Sequence, residues 1–144
     1  MIHLRKWMLI AAFALVLVFG ITLFAKQERG ISASSIDERV SFAKSLGYTV
    51  DVSSESAQTV IIPVEFDSVY TTYNKLQLEA GFDLEGYKGK TAVIYTYEIT
   101  NYGDSSDVVY MHFIVFDGKL IGGDICSARL NGFMHGLTKT SQLE

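Results

Sequence analysis

The hydrophobic pattern divides the chain into one unbroken apolar run and a train of short periodic segments. The run covers residues 7–25, WMLIAAFALVLVFGITLFA, nineteen residues without a charge and with Thr22 as the only polar side chain. A helix of that length is about 28 Å long, which matches a bilayer hydrocarbon core of about 30 Å. The run therefore predicts a transmembrane helix at 7–25, preceded by a stub at 1–6 and followed by a polar, small-residue linker at 26–35, KQERGISASS.

Beyond the linker the period changes to that of folded elements. Ile36, Val40, Ala43 and Leu46 recur at three- and four-residue spacing, with Ser34 or Ser35 placed to cap, Asp37 and Glu38 in the first turn and Gly47 at the end. This predicts an amphipathic helix over 36–46. Residues 48–53 (YTVDVS) alternate as a strand, 54–57 read as a turn, and 58–62 (QTVII) read as its hairpin partner, stopped by Pro63, the only proline. Phe66, Val69, Tyr70, Tyr73, Leu76 and Ala80 predict a second helix over 67–80, closed by Gly81. The stretch GFDLEGYKGK reads as a loop pinned to the core by Phe82, Leu84 and Tyr87.

Three more strands follow at 90–100, 108–116 and 120–126. The middle one is apolar on both faces. Asp117-Gly118 between the last two predicts a type I′ hairpin turn. An unbroken register from that turn sets Phe113 opposite Gly122, His112 opposite Gly123, Met111 opposite Asp124 and Val109 opposite Cys126, with Cys126 and His112 on opposite faces. The tail 130–137, LNGFMHGL, is apolar enough to pack back on the sheet, and 138–144 reads as frayed. The sum is an α+β domain over 36–137: a five-stranded, mostly antiparallel sheet with two helices on one face.

Charge and cysteine content sharpen this picture. Residues 1–29 carry Arg5, Lys6, Lys26 and Arg29 against Glu28, a net of +3, which leaves −7 of the total −4 on the rest. An acidic head argues against nucleic acid and against lying flat on anionic lipid. Leu23, two positions before Ala25, is too bulky for a signal-peptidase site, and the run exceeds an ordinary signal core, so an uncleaved anchor is expected. The short basic N-terminus places residues 1–6 in the cytoplasm and the head outside, although Lys26, Arg29 and Arg39 beyond the run keep the charge count nearly level. Cys126 is the single cysteine, so no internal disulfide forms, and no cysteine follows the apolar run to carry a lipid.

Candidate chemistry is sparse. Cys126, Asp124 and His135 are the parts of a cysteine hydrolase, but no known spacing joins them, and Asp124 on the same face raises a thiol pKa rather than lowering it. As metal ligands, Cys126 with His112 or His135 supplies at most three donors, fewer than a closed structural zinc site needs, so neither metal nor cofactor is expected. Asp83 and Glu85 lack the alternation of a calcium loop, and 86–89 (GYKG) is too short for a phosphate loop. Tyr73, Tyr95 and Tyr97, among eight tyrosines, read as core and rim; the sheet face away from the helices is the expected ligand face.

The runs GFDLEGYKGK, YTYEITNY, FDGKLIGGDICS and NGFMHGL resemble an uncharacterised family of Gram-positive bacteria, domain of unknown function 4830. The likeness covers about 36–137 and implies an exported domain behind one span. It supplies no activity and no residue roles. The expected function is a membrane-anchored extracytoplasmic binding or accessory domain with a protein or envelope partner and no nucleic acid. The alternatives are a small thiol-dependent enzyme using Cys126, or a structural subunit of a membrane complex.

Overall fold

A computed structural model describes residues 30–103 and 106–138. The stub 1–6, the apolar run 7–25 and most of the frayed tail lie outside the described residues. Among the described residues no helix is long and apolar enough to cross a membrane.

Helix α1 (Ile36–Ser45) begins on a capping box. Ser35 Oγ accepts from the Glu38 N–H at 3.2 Å, and the Glu38 carboxylate accepts from the Ser35 N–H at 3.1 Å. Hydrogen bonds from Ser34, then Ser32, then the Ser35 backbone hold the Glu38 carboxyl down at about 2. Gly47, at φ +89°, turns the chain out of the helix.

The strands are β1 (Val50–Ile61), β2 (Thr91–Ile99), β3 (Val109–Phe116), β4 (Lys119–Ser127) and β5 (Met134–Gly136). They form one sheet in sequence order, every neighbouring pair antiparallel. Between β1 and β2 come helix α2 (Ser68–Glu79), capped by Asp67, and one 3-10 turn (Leu84–Tyr87). The five-stranded antiparallel sheet with two helices is the α+β domain expected from the sequence.

The structure corrects four details. First, residues 54–57 do not turn the chain. They lie within β1, where pairing jumps from Asp51↔Glu98 to Ser56↔Thr96, an edge-strand bulge in which Ser54 Oγ accepts the Glu98 N–H. The fifth strand is instead β5, from the apolar tail.

Second, the helices cover opposite faces. Phe42 of α1 packs edge-on against Phe113, ring centroids 6.0 Å apart, whereas Tyr70 and Tyr73 of α2 join the cluster around Ile114. Phe113 and Ile114 are successive residues of β3, so their side chains leave opposite faces. A central strand that is apolar on both sides requires cover on both. Third, the linker is not free throughout. Ala33 is buried, its N–H donates to Gly118 O, and Ile31 O accepts from the Leu120 N–H at 2.9 Å.

Fourth, the most deeply buried side chains of α2 are polar. Val69 is exposed, while Asn74 and Gln77 are buried. Both satisfy backbone groups: Asn74 Oδ1 accepts from the Leu84 N–H at 2.8 Å, and Gln77 Oε1 from the Gly123 N–H at 2.7 Å. Glycines let the helix come this close. A Cβ on Gly136 would lie 3.0 Å from Leu76 O, and one on Gly122 would lie 2.8 Å from Gln77 Oε1.

Candidate functional site

The Asp117-Gly118 turn forms as expected, both residues at positive φ and Phe116 opposite Lys119. Two residues later the register slips. Val115 pairs Leu120 but Ile114 pairs Gly122, so Ile121 is an extra residue in β4. Beyond this bulge His112 faces Asp124, not Gly123. A one-residue slip exchanges faces, and it brings His112, Asp124 and Cys126 onto one face, beneath α2. The expectation that Cys126 and His112 lie on opposite faces is thereby corrected.

Within the cluster, His112 Nδ1 lies 2.9 Å from Asp124 Oδ1 and 3.9 Å from Cys126 Sγ. Tyr73 of α2 donates its hydroxyl to Asp124 Oδ2 at 2.7 Å. Asp124 is 3% exposed, the His112 side chain 24%, and Cys126 is half-buried. Burial first, then the Asp124 charge and its hydrogen bond, raise the Tyr73 hydroxyl well above its ordinary range. Burial first, then the Asp124 charge, push the Cys126 thiol up to about 11.

This geometry is not a hydrolase relay. A base that activates a thiol through one ring nitrogen is oriented by a carboxylate through the other. Here the carboxylate and the thiol both approach Nδ1, and the thiol is protonated at neutral pH. His135 does not join them. It pairs with Ile125 on the other face, where Nδ1 donates to Gly136 O at 2.7 Å and Nε2 accepts from Tyr102 Oη at 2.8 Å, its ring stacked on Phe133. Asp83 and Glu85 also have structural partners: Asp83 Oδ1 caps the 3-10 turn and accepts from Asn74, and Glu85 pairs with Lys88.

The thiol shift predicts slow alkylation. A rise from 9.0 to about 11 cuts the thiolate fraction near pH 8 about 100-fold, and the more basic thiolate recovers about tenfold of that in intrinsic reactivity. In chelator-treated protein Cys126 is expected to react with iodoacetamide at least about tenfold slower than a model thiol. The rate should still climb at pH 10. A plateau by pH 8.5 would refute this.

The sequence reading missed Tyr73 and the role of His112. The available signal was the Gly122-Gly123 pair inside a strand, a mark of bulges and close approach. Next to the cluster, Val69, Thr72, Tyr73 and Leu76 of α2 with Met134 of β5 line an open, apolar groove of about 700 Å³. Both sheet faces carry a helix, so the face away from the helices, expected as the ligand surface, is not left uncovered.

A family model described as "Domain of unknown function (DUF4830)" matches residues 42–125, more than half of the chain. The chain belongs to this family. The DUF4830 match starts inside α1 and ends at Ile125. It thus includes Tyr73, His112 and Asp124 and stops one residue before Cys126, a narrower span than the resemblance over 36–137. No curated protein and no solved structure matches the chain.

Proposed function

We propose that this DUF4830 chain is a single-span membrane protein of the Gram-positive cell envelope. Its extracytoplasmic α+β domain acts by binding a protein or envelope component, and residues 1–6 remain in the cytoplasm. The observation that carries this reading is the uncharged nineteen-residue run at 7–25 directly ahead of a folded head. The docking of residues 31–33 on β4 adds to it: only residues 26–30 are left between the run and the domain, a reach of at most about 18 Å. The head would sit against the membrane surface, where a net charge of −7 repels anionic lipid and leaves its surface to other partners.

Protease treatment of intact protoplasts expressing a C-terminally tagged chain tests the topology. The tag should be lost without lysis, while full-length protein resists alkaline carbonate extraction. A tag protected until lysis would place the head inside, and carbonate release would remove the anchor. The alternative of a thiol-dependent enzyme using Cys126, against which the raised thiol and the shared Nδ1 speak, requires that a folded Cys126→Ala protein lose turnover. A structural subunit would show itself as a fixed cross-linked neighbour in membranes.

A further inference from the structure

We infer that His112, Asp124 and Cys126 form a binding site for a divalent transition-metal ion of the zinc class, with one coordination position left open. This goes beyond the proposed binding role and does not depend on membrane topology. One imidazole nitrogen, one carboxylate oxygen and one sulfur lie within 4.8 Å of one another. Tetrahedral bonds of about 2.0–2.3 Å place neighbouring ligand atoms about 3.3–3.7 Å apart. The His112–Asp124 separation of 2.9 Å and the Cys126–His112 separation of 3.9 Å bracket that spacing. Small side-chain rotations close the difference.

Three features make this a built site rather than three neighbours. The ligands stand on paired strands, with His112 and Asp124 a cross-strand pair and Cys126 two residues further on, so the backbone fixes their spacing. Asp124 is buried, and Tyr73 binds its Oδ2, leaving Oδ1 toward His112. That is the outer-shell support ligating carboxylates receive in metal sites. The donor set also selects the ion. Thiolate and imidazole suit zinc and its neighbours, while calcium and magnesium take oxygen alone.

Charge balances as well. On binding, the Cys126 proton leaves to solvent and the His112 proton sits on Nε2, so thiolate and carboxylate together neutralise the dication. The exposed quarter of His112 marks the open side, where water or a partner's group completes the shell.

Cobalt titration of the tag-free full chain in detergent tests the site. One equivalent of Co²⁺ should give visible d–d bands and a near-ultraviolet thiolate-to-cobalt band, both displaced by Zn²⁺. Cys126→Ser and His112→Gln, each folded by circular dichroism, should weaken binding at least 100-fold. Tyr73→Phe should weaken it about tenfold, and His135→Gln should leave it unchanged. Absence of the thiolate band, or equal affinity of the Cys126→Ser and native chains, would overturn the assignment, as would loss of binding in His135→Gln. If one ligand variant fails to fold, the thiolate band and the other variant still decide.

Discussion

Gly123→Ala is expected to destabilise the head by about 3 kcal/mol or more. A Cβ at this position would overlap the backbone carbonyl oxygen of His112 and lie 2.9 Å from Leu137 Cδ1. Neither neighbour can yield cheaply. The carbonyl belongs to β3, the central strand of the sheet, and Leu137 is 1% exposed. The added methyl would have to separate β3 from β4 just where the bulge hands the Gly123 N–H to Gln77. Overpacking of this kind costs about 3 kcal/mol or more when backbone must move, against a total stability of about 5–15 kcal/mol for a small domain. Urea unfolding followed by far-ultraviolet circular dichroism would show it as a midpoint shifted well below that of the native protein. Gly86→Ala is the control: nothing lies within 4 Å of its Cβ position, and its midpoint should not fall. A Gly123→Ala midpoint within about 1 kcal/mol of the native protein would mean that the strand pair breathes far more than its packing implies.

The same glycine pair shows where sequence reasoning stopped. Local signals were readable wherever they were self-contained. Ser34 or Ser35 announced the helix cap, Gly47 the helix end, and Asp117-Gly118 the hairpin, and all three formed, the cap at Ser35. Val109–Phe116, apolar on both faces, also held the information that both faces are covered, though counting helices alone put them together. What failed was long-range register. The extra residue at Ile121 leaves no hydrophobic signature of its own, because Ile121 is buried with or without it. Yet that slip decides every facing residue beyond it, so an unbroken ladder puts His112 and Cys126 apart and favours His135. The polar run 54–57 misled for a related reason. An edge strand with solvent on one side tolerates serine and glutamate, and its bulge had a purpose visible only in three dimensions. It delivers Glu55 to a buried arginine.

That arginine carries the second large expectation: Arg39→Ala should destabilise the head by about 3–5 kcal/mol. Arg39 lies on α1 yet is only 3% exposed. Its Nε donates to Tyr97 Oη at 2.8 Å, Nη1 to Ala33 O and Ser34 O at 2.9 and 3.1 Å, and Nη2 to Glu55 Oε2 at 2.9 Å. The guanidinium lies 3.6 Å from the Tyr95 ring centroid, and the Tyr97 hydroxyl also bonds Glu55. One side chain therefore ties the entry segment, α1, the β1 bulge and β2 together. Removing it leaves a part-buried carboxylate without its cation and two carbonyls without a donor, a cost well above the worth of a surface pair. Arg39→Lys should recover little, because a single ammonium cannot reach four acceptors in a planar fork. Arg39→Met with Glu55→Gln should recover more than either change alone, since the buried charge goes with its partner. Hydrogen exchange adds a local readout. The Ala33 and Leu120 amides, which bond across the docked entry segment, should lose protection in Arg39→Ala before the β3 amides do. Full rescue by Arg39→Lys would show that charge alone, rather than the forked geometry, holds the entry segment to the sheet.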